Sequence, residues 1–216
     1  MNYIKNIEKA KIYKTDKIID IFNSQIVSSN LADNDSFTLE VFSFDKGEEI
    51  SSQKALYDTL YFVAKGNLEI AKESVKVQEY KTVEKGQEVH LLAIEPSIVF
   101  VYSIKIENKL KNLNNKENKK LSDEVSFVKN SVASKVLFQL DILSLTLLSL
   151  DEGQGLNTHA ASGDALVISL EGDVLIKIDK DDYNLTNDDL IVLPVGIPHS
   201  LLAKKPYKMF LTVIKQ

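Results

Sequence analysis

The stretch that decides the fold is residues 153–172, GQGLNTHAASGDALVISLEG. Side chains alternate along an extended strand, so Asn157 and His159 are expected on the same face. Residues 162–164, Ser-Gly-Asp, are typical of a turn, and the apolar, β-prone run 165–170 predicts a second strand. The stretch therefore predicts a strand, a turn and a strand, with one histidine on the first strand.

A second stretch carries another histidine. Residues 187–189, Asn-Asp-Asp, indicate a turn, and residues 190–193 predict a short strand. The segment 194–198, Pro-Val-Gly-Ile-Pro, is too rich in proline for the interior of a sheet, because proline cannot donate to the hydrogen-bond ladder. We expect it to form a fixed loop that brings His199 to His159.

The spacing of these residues resembles the two motifs of the cupin superfamily. The first motif is a Gly, five residues, His-x-His, three or four residues, Glu, six residues and a Gly; its positions fall here on Gly153, His159, Ala161, Ala165 and Gly172. The second motif is a Gly, five residues, Pro-x-Gly, two residues and a His; its positions fall on Asp188, Pro194, Gly196 and His199. The resemblance implies a jelly-roll barrel. Two of the three first-motif metal ligands are alanines here, so the metal motif is degenerate.

The chain also contains an internal repeat. Residues 25–70 align with residues 131–176 at a constant offset of 106, with twelve identities and no gap. Assuming a hairpin four residues longer in the first copy, we expect residues 86–97 to lie over residues 188–199. Coinciding glycines and apolar positions indicate two copies of one structural unit.

The first copy lacks the two histidines. In the alignment, Gln53 takes the place of His159, and Ser97 takes the place of His199. The first barrel is therefore predicted to be degenerate and to serve structure.

The repeat predicts an all-β protein of two tandem cupin barrels, of the jelly-roll or double-stranded β-helix type, and hence a bicupin. Short helical segments are expected near Ile4 and Ile7 and, in the linker, near Leu110 and Leu113. The predicted organisation is an N-terminal extension at 1–24, a degenerate first barrel at 25–105, a linker at 106–124 and a second barrel with the candidate site at 125–216.

Composition excludes several classes of protein. Hydrophobic residues make up 44% and charged residues 26% of the 216, as expected of a globular protein with a core. The net charge of -5 comes without a basic stripe, which argues against a nucleic-acid partner. The absence of cysteine excludes disulfides and Cys-ligated zinc. Without an apolar secretory or membrane-spanning run, the expected location is the cytoplasm, with no membrane partner.

The two histidines nominate the site. His159 and His199 are the candidate metal ligands, because imidazole commonly binds divalent transition ions such as Fe, Mn, Ni, Cu or Zn. Asn157, Ser169 and Tyr183 are predicted to line the same cavity, so that these five residues would contact a small ligand. No residue is assigned a catalytic role.

Asp164 is a further carboxylate close to His159 in the sequence. Asp58 occupies the equivalent place in the copy without histidines. We therefore interpret Asp164 as a residue of the turn or the start of the strand, rather than as a third metal ligand.

Three functions fit this pattern. The first is a small-molecule-binding bicupin with a weak divalent metal site in its second barrel. The second is a metal-dependent enzyme of the dioxygenase or isomerase type that the cupin family includes, and the third is a non-catalytic scaffold protein. Resemblance to the family also implies a homodimer.

Overall fold

The computed structural model describes residues 3–106, 113 and 119–215. Within them the chain forms twenty β-strands and two short 3-10 turns, Thr15–Lys17 and Leu121–Glu124. The described residues divide into two compact units, each of which is a barrel of two antiparallel sheets. We call them the first barrel (16–106 and 119–121) and the second barrel (3–15, 113 and 122–215).

The first barrel contains ten strands: β2 Ile26–Asp33, β3 Phe37–Phe44, β4 Glu49–Lys54, β5 Asp58–Lys65, β6 Asn67–Ile70, β7 Glu73–Lys76, β8 Glu79–Val83, β9 Glu88–Ala93, β10 Ser97–Ile104 and β11 Lys119–Lys120. Its six-stranded sheet has the order β11-β8-β5-β10-β3-β2, and its four-stranded sheet has the order β4-β9-β6-β7.

The second barrel also contains ten strands: β1 Tyr13–Lys14, β12 Val132–Gln139, β13 Leu143–Leu150, β14 Gly155–Ala160, β15 Asp164–Glu171, β16 Val174–Ile178, β17 Asp181–Leu185, β18 Asp189–Leu193, β19 Pro198–Ala203 and β20 Tyr207–Ile214. Its sheets have the orders β1-β18-β15-β20-β13-β12 and β14-β19-β16-β17, which reproduce the first barrel strand for strand.

Alternating side chains build the core of each barrel. In β19 the residues His199, Leu201 and Ala203 are buried, whereas Ser200 and Leu202 between them are more exposed. Inward positions of the other strands add branched aliphatic residues, so the interior of the second barrel is filled with apolar side chains. The sheet that carries both histidines therefore lies directly over a packed core.

The prediction of two all-β barrels is confirmed, but the helical segment predicted near Ile4 and Ile7 is wrong. Residues around Ile4 and Ile7 form bends, and Ile4 is fully buried, so tertiary packing decides this segment. Leu113 has no regular structure, and Leu110 lies outside the described residues. No helix in the described part of the chain combines the length and the hydrophobicity that a membrane span requires.

The repeat is confirmed at the level of individual hydrogen bonds. Ser43 donates its hydroxyl proton to the Asp20 carbonyl at 2.7 Å, and Ser149 donates to the Ser126 carbonyl at 2.8 Å, each across the same separation in sequence. The donors and the acceptors of these two hydrogen bonds are each 106 residues apart, which is the offset that the sequence predicted.

The predicted alignment of the second motif, however, is wrong. The amide of Gln78 donates to the Val63 carbonyl, and the amide of Asp188 makes the equivalent bond to the Ser169 carbonyl, which sets the later offset at 110. The hairpin of β16 and β17 is thus four residues longer in the second copy, not in the first. The error arose because only Leu91/Leu193 and Pro96/Pro198 supported the earlier alignment.

The corrected alignment explains the aspartate at the start of the second motif. Gln78 and Asp188 are equivalent and have positive φ angles of 66° and 64°. The loop glycines Gly86 and Gly196 are also equivalent, with φ angles of 86° and 74°. Asp188 therefore keeps the left-handed turn that a glycine would favour, since aspartate adopts this conformation more readily than most residues.

A candidate histidine site in the second barrel

The two histidines form a cross-strand pair. His159 on β14 lies directly opposite His199 on β19 in the antiparallel register. Their ring centroids are 4.5 Å apart and the ring planes meet at 61°, an edge-to-face arrangement. The structure thus brings together the two residues that the sequence nominated as a pair.

The two rings differ in their access to solvent. His199 is buried, with 3% of its surface exposed, whereas His159 is exposed. Burial lowers the pKa of His199, a hydrogen bond to the Ile197 carbonyl opposes this effect, and the neighbouring His159 lowers the pKa further. Near neutral pH, His199 is therefore held in its neutral form.

Hydrogen bonds to the backbone fix which nitrogen carries the proton when either ring is neutral. The Nδ1 atom of His159 lies 2.8 Å from the Asn157 carbonyl, and Nδ1 of His199 lies 3.0 Å from the Ile197 carbonyl. A carbonyl oxygen can only accept, so each Nδ1 carries the proton and donates it. Each Nε2 then has a free lone pair that can accept a hydrogen bond or bind a metal ion.

The loop before His199 is held at both sides. The amide of Gly196 donates to the Ala161 carbonyl at 3.0 Å, and the amide of Val195 donates to Oδ1 of Asp164 at 3.0 Å. The proline-rich segment is therefore the fixed loop that the sequence predicted, and it is tied to the chain that follows His159.

Asp164 has no free acceptor position for a metal ion. This first residue of β15 is fully buried, and its two carboxylate oxygens accept four hydrogen bonds from three regions of the second barrel. Burial by itself would raise the pKa of Asp164, but hydrogen bonds from Lys9, Ile4, Val195 and Tyr3 outweigh it and lower the pKa. Its interpretation as a residue at the start of the strand is confirmed.

The three other predicted contact residues lie at different places. Asn157 precedes His159 by two residues and is exposed, and its carbonyl orients that ring. Tyr183 lies on β17, opposite Ile176, and is half-buried against the apolar core. Within the described part of the chain, neither side chain forms a hydrogen bond to His159 or His199.

Ser169 forms its side-chain hydrogen bond with Tyr207 and not with the histidine pair. Its hydroxyl lies 2.7 Å from the hydroxyl of Tyr207, and both residues are fully buried. Ser169 lies four positions after Ala165 on β15, a distance of about 13 Å along the extended strand. Burial raises the pKa of Tyr207, so this phenol stays protonated and acts as a hydrogen-bond donor or acceptor.

A metal ion would find two ligands and no carboxylate at this site. In the described part of the chain, no group of three or more His, Asp and Glu side chains is placed to hold a metal ion. Alanines occupy two of the motif positions, and Ala165 is part of the apolar core. The donor set therefore fits a weakly held ion completed by water or ligand atoms, and it does not fit the two-histidine, one-carboxylate set of non-haem iron enzymes.

The first barrel has no histidine at the equivalent positions. Gln53 pairs with Val89 in the register that His159 and His199 occupy in the second barrel. The counterpart of His199 is thus Val89, and the expected counterpart Ser97 is wrong by the same misalignment. The prediction that this barrel lacks both histidines nevertheless holds.

The chain's third histidine, His90, lies elsewhere in the first barrel. Its Nε2 atom is 3.2 Å from the Glu49 carboxylate, and its Nδ1 atom is 3.7 Å from that of Glu69. His90 thus contacts two carboxylates on the four-stranded sheet of the first barrel, apart from the paired imidazoles, and provides an internal control for them.

The first barrel also has a surface cavity of about 340 Å³ beside β8. It is lined in part by Lys81 and Glu73, which form an ion pair at 2.6 Å. The lysine is already neutralised within the cavity, so this feature does not compete with the histidine pair as a candidate site.

Comparisons with known proteins agree with the fold. A cupin 2 conserved barrel domain protein from Leptotrichia buccalis is 23% identical, with a TM-score of 0.83 over 99% of this chain and 100% of that one. A salicylate 1,2-dioxygenase from Pseudaminobacter salicylatoxidans is 12% identical, with a TM-score of 0.58 over 87% of this chain and 76% of that one. No protein-family model and no curated protein matches the sequence.

Proposed function

We propose that this chain, which has the cupin jelly-roll fold in both of its barrels, binds a small polar molecule at the mouth of the second barrel through His159 and His199. One observation carries the proposal: both Nδ1–H groups are bound to backbone carbonyls, so both Nε2 lone pairs are available on neighbouring rings.

The size of the ligand follows from the packing around the pair. The core next to His199 is filled by buried side chains such as Ile178, Leu193 and Leu201, so the barrel interior offers no room for a large molecule. The exposed ring of His159 opens the pair to solvent. A ligand of a few polar atoms, with a hydroxyl or amino group to donate to Nε2, matches this arrangement.

A divalent transition ion is the second species that this donor set suits. Two neutral imidazoles would supply two ligands, and water or an oxygen of the small molecule would supply the others. Such an ion would act as a Lewis acid toward that oxygen. With only two protein ligands, we expect weak binding that responds strongly to loss of either histidine.

A metal-dependent dioxygenase or isomerase is the alternative function. The observation in its favour is the backbone hydrogen bond at each Nδ1, which is how proteins orient metal-ligating histidines. Against it stand the alanines at positions 161 and 165, where the family motif has a histidine and a glutamate. Catalysis would require the substrate to supply the missing ligand.

The test is a titration of the wild-type protein with Zn²⁺ and Ni²⁺, followed by a thermal-shift screen of small hydroxy acids and polyols. The protein is purified without an imidazole column, and its metal content is measured first. The His159→Ala/His199→Ala variant should lose both responses, whereas His90→Ala should keep them. Binding that survives the double substitution would overturn the assignment, and a protein that responds to no probe would favour the scaffold hypothesis.

The homodimer, the cytoplasmic location and the absence of a nucleic-acid partner stay predictions. Light scattering on the purified protein, at concentrations near those in the cell, would check the first of these.

A further inference from the structure

We infer that the N-terminal segment, residues 3–10, belongs to the histidine site and acts on it through Asp164, which is a positioning residue for His199. The inference deepens the proposed function and rests on it for its binding consequences. Its structural part, the orientation of the His199 ring, can be tested without any ligand.

The first step is the hydrogen-bonding of the buried carboxylate. Oδ2 of Asp164 accepts the backbone amides of Tyr3 at 2.8 Å and Ile4 at 3.1 Å. Oδ1 accepts the Lys9 ammonium at 2.7 Å and the Val195 amide at 3.0 Å. One oxygen thus holds the N-terminal segment alone, while the other joins that segment to the loop before His199.

The second step is that the N-terminal segment is itself anchored. Ile4 has 1% of its surface exposed, and the amide of Ala10 donates to the Val192 carbonyl at 2.8 Å. Tyr13 and Lys14 then pair with β18 as the edge strand β1. Lys9 is therefore presented to Asp164 from a fixed backbone, and its ammonium group balances the charge of a carboxylate that water does not reach.

The third step leads from the loop to the ring. Val195 lies two residues before Ile197, whose carbonyl accepts the Nδ1 proton of His199. Gly196 between them is pinned to the Ala161 carbonyl. A shift of the Val195 amide would thus displace the carbonyl that fixes the tautomer and direction of His199, and such outer contacts commonly change metal affinity 10- to 100-fold.

The first barrel supplies a matched comparison. Oδ1 of Asp58 accepts the amide of Lys85 at 2.7 Å, and these residues are the counterparts of Asp164 and Val195. The bond between aspartate and loop therefore belongs to the fold. Asp164 differs in being fully buried, and within the described residues it alone of the two shares this oxygen with a lysine, Lys9.

The experiment compares two lysines of the N-terminal region. Lys9→Met removes the cation that pairs with Asp164. Lys14→Met removes the cation that pairs with Asp189 at 2.7 Å. Asp189 is also buried, but it does not contact the loop before His199. The first readout is the imidazole ¹⁵N NMR spectrum of the ligand-free protein, which reports the tautomer of each ring. The second is the affinity for Zn²⁺.

We expect Lys9→Met to shift the His199 signals and to weaken Zn²⁺ binding about tenfold. Lys9→Arg should restore both, and Lys14→Met should change neither, whatever it does to the melting temperature. Equal spectra for Lys9→Met and Lys14→Met would overturn the inference. A shifted His199 in a protein that never binds Zn²⁺ or any screened molecule would instead sustain the positioning role and reject the proposed function.

A second pair of variants controls for a folding defect. An asparagine side chain has one acceptor oxygen, so Asp164→Asn leaves either the N-terminal amides or the Val195 amide facing an NH₂ group. Asp58→Asn makes the same change in the barrel that lacks the histidine pair. Only Asp164→Asn should move the His199 signals, and a change of the same size in Asp58→Asn would contradict the inference.

Discussion

His199 and Val89 are equivalent residues of the two barrels. His199 pairs with His159 across the strands β19 and β14, and Val89 pairs with Gln53 across β9 and β4 in the same register. Both inward positions are buried, with exposures of 3% and 5%. The two barrels therefore place a histidine pair and a glutamine–valine pair at equivalent positions of the same strand register.

This equivalence predicts that the site can be transplanted. Gln53→His/Val89→His, introduced into the His159→Ala/His199→Ala background, should restore Zn²⁺ binding at one equivalent. The imidazole at position 89 is larger and more polar than valine, so we expect a cost of about 1–2 kcal/mol in stability. Calorimetric titration gives the stoichiometry. If folded protein with the transplanted pair bound no Zn²⁺, two facing imidazoles would not be sufficient for the site.

Stability should depend on pH through His199. Burial lowers its pKa in the folded protein, so the unfolded chain binds more protons between that pKa and the unfolded value of about 6.5. The contribution of neutral His199 to the free energy of unfolding is thus complete above about pH 6.5 and is lost as the pH falls below it. Melting temperatures between about pH 8 and 5 should fall less steeply for His199→Gln than for wild type, with His90→Gln as the control.

The buried hydroxyl pair predicts a thermodynamic coupling without an effect on the site. Tyr207→Phe leaves the Ser169 hydroxyl without its partner in the barrel interior, which should cost about 1–3 kcal/mol. Adding Ser169→Ala should recover part of this loss. Chemical denaturation of the two single variants and the double variant measures the coupling. Ligand or Zn²⁺ affinity should be unchanged, and a loss of affinity in Ser169→Ala would return that residue to the site.

Two glycines predict stability losses of different size. Gly172 and Gly153 both have positive φ angles, of 84° and 76°, so alanine is strained at each by about 1–2 kcal/mol. A Cβ atom at position 172 would also collide with the carbonyl of Pro206, whereas the space around Gly153 is open. Gly172→Ala should therefore cost at least about 3 kcal/mol, and Gly153→Ala about 1 kcal/mol, in denaturant titrations. Equal losses would mean that backbone conformation alone decides both positions.

Sequence patterns predicted the fold well because they depend on neighbouring residues or recur in both copies of the internal repeat. Strand alternation, the turn at residues 162–164 and the proline-rich loop before His199 each reflect neighbouring residues, and the structure has them as expected. The pairing of His159 with His199 followed from the spacing of the two motifs. The helix near Ile4 failed because two apolar residues cannot distinguish a helix from a bent segment that buries one of them.

The sequence could not predict contacts between segments that are far apart in the chain. Nothing near Asp164 indicates that its donors are Tyr3, Ile4 and Lys9, about 160 residues away. The prediction for Ser169 assigned it to the histidine cavity by strand alternation, which fixes the face of a residue but not its height along the barrel. A single polar residue expected to face an apolar interior is the signal that could have suggested a partner such as Tyr207.

The edge strand β1 has a consequence for the order in which the protein is made. Tyr13 pairs with Leu190, so this segment leaves the ribosome about 177 residues before the strand that receives it. At about 5–20 residues per second, that delay is roughly 10 to 35 s. Throughout it the early segment must stay extended and unaggregated, and a truncated translation product that ends before β18 has no edge on which to receive it.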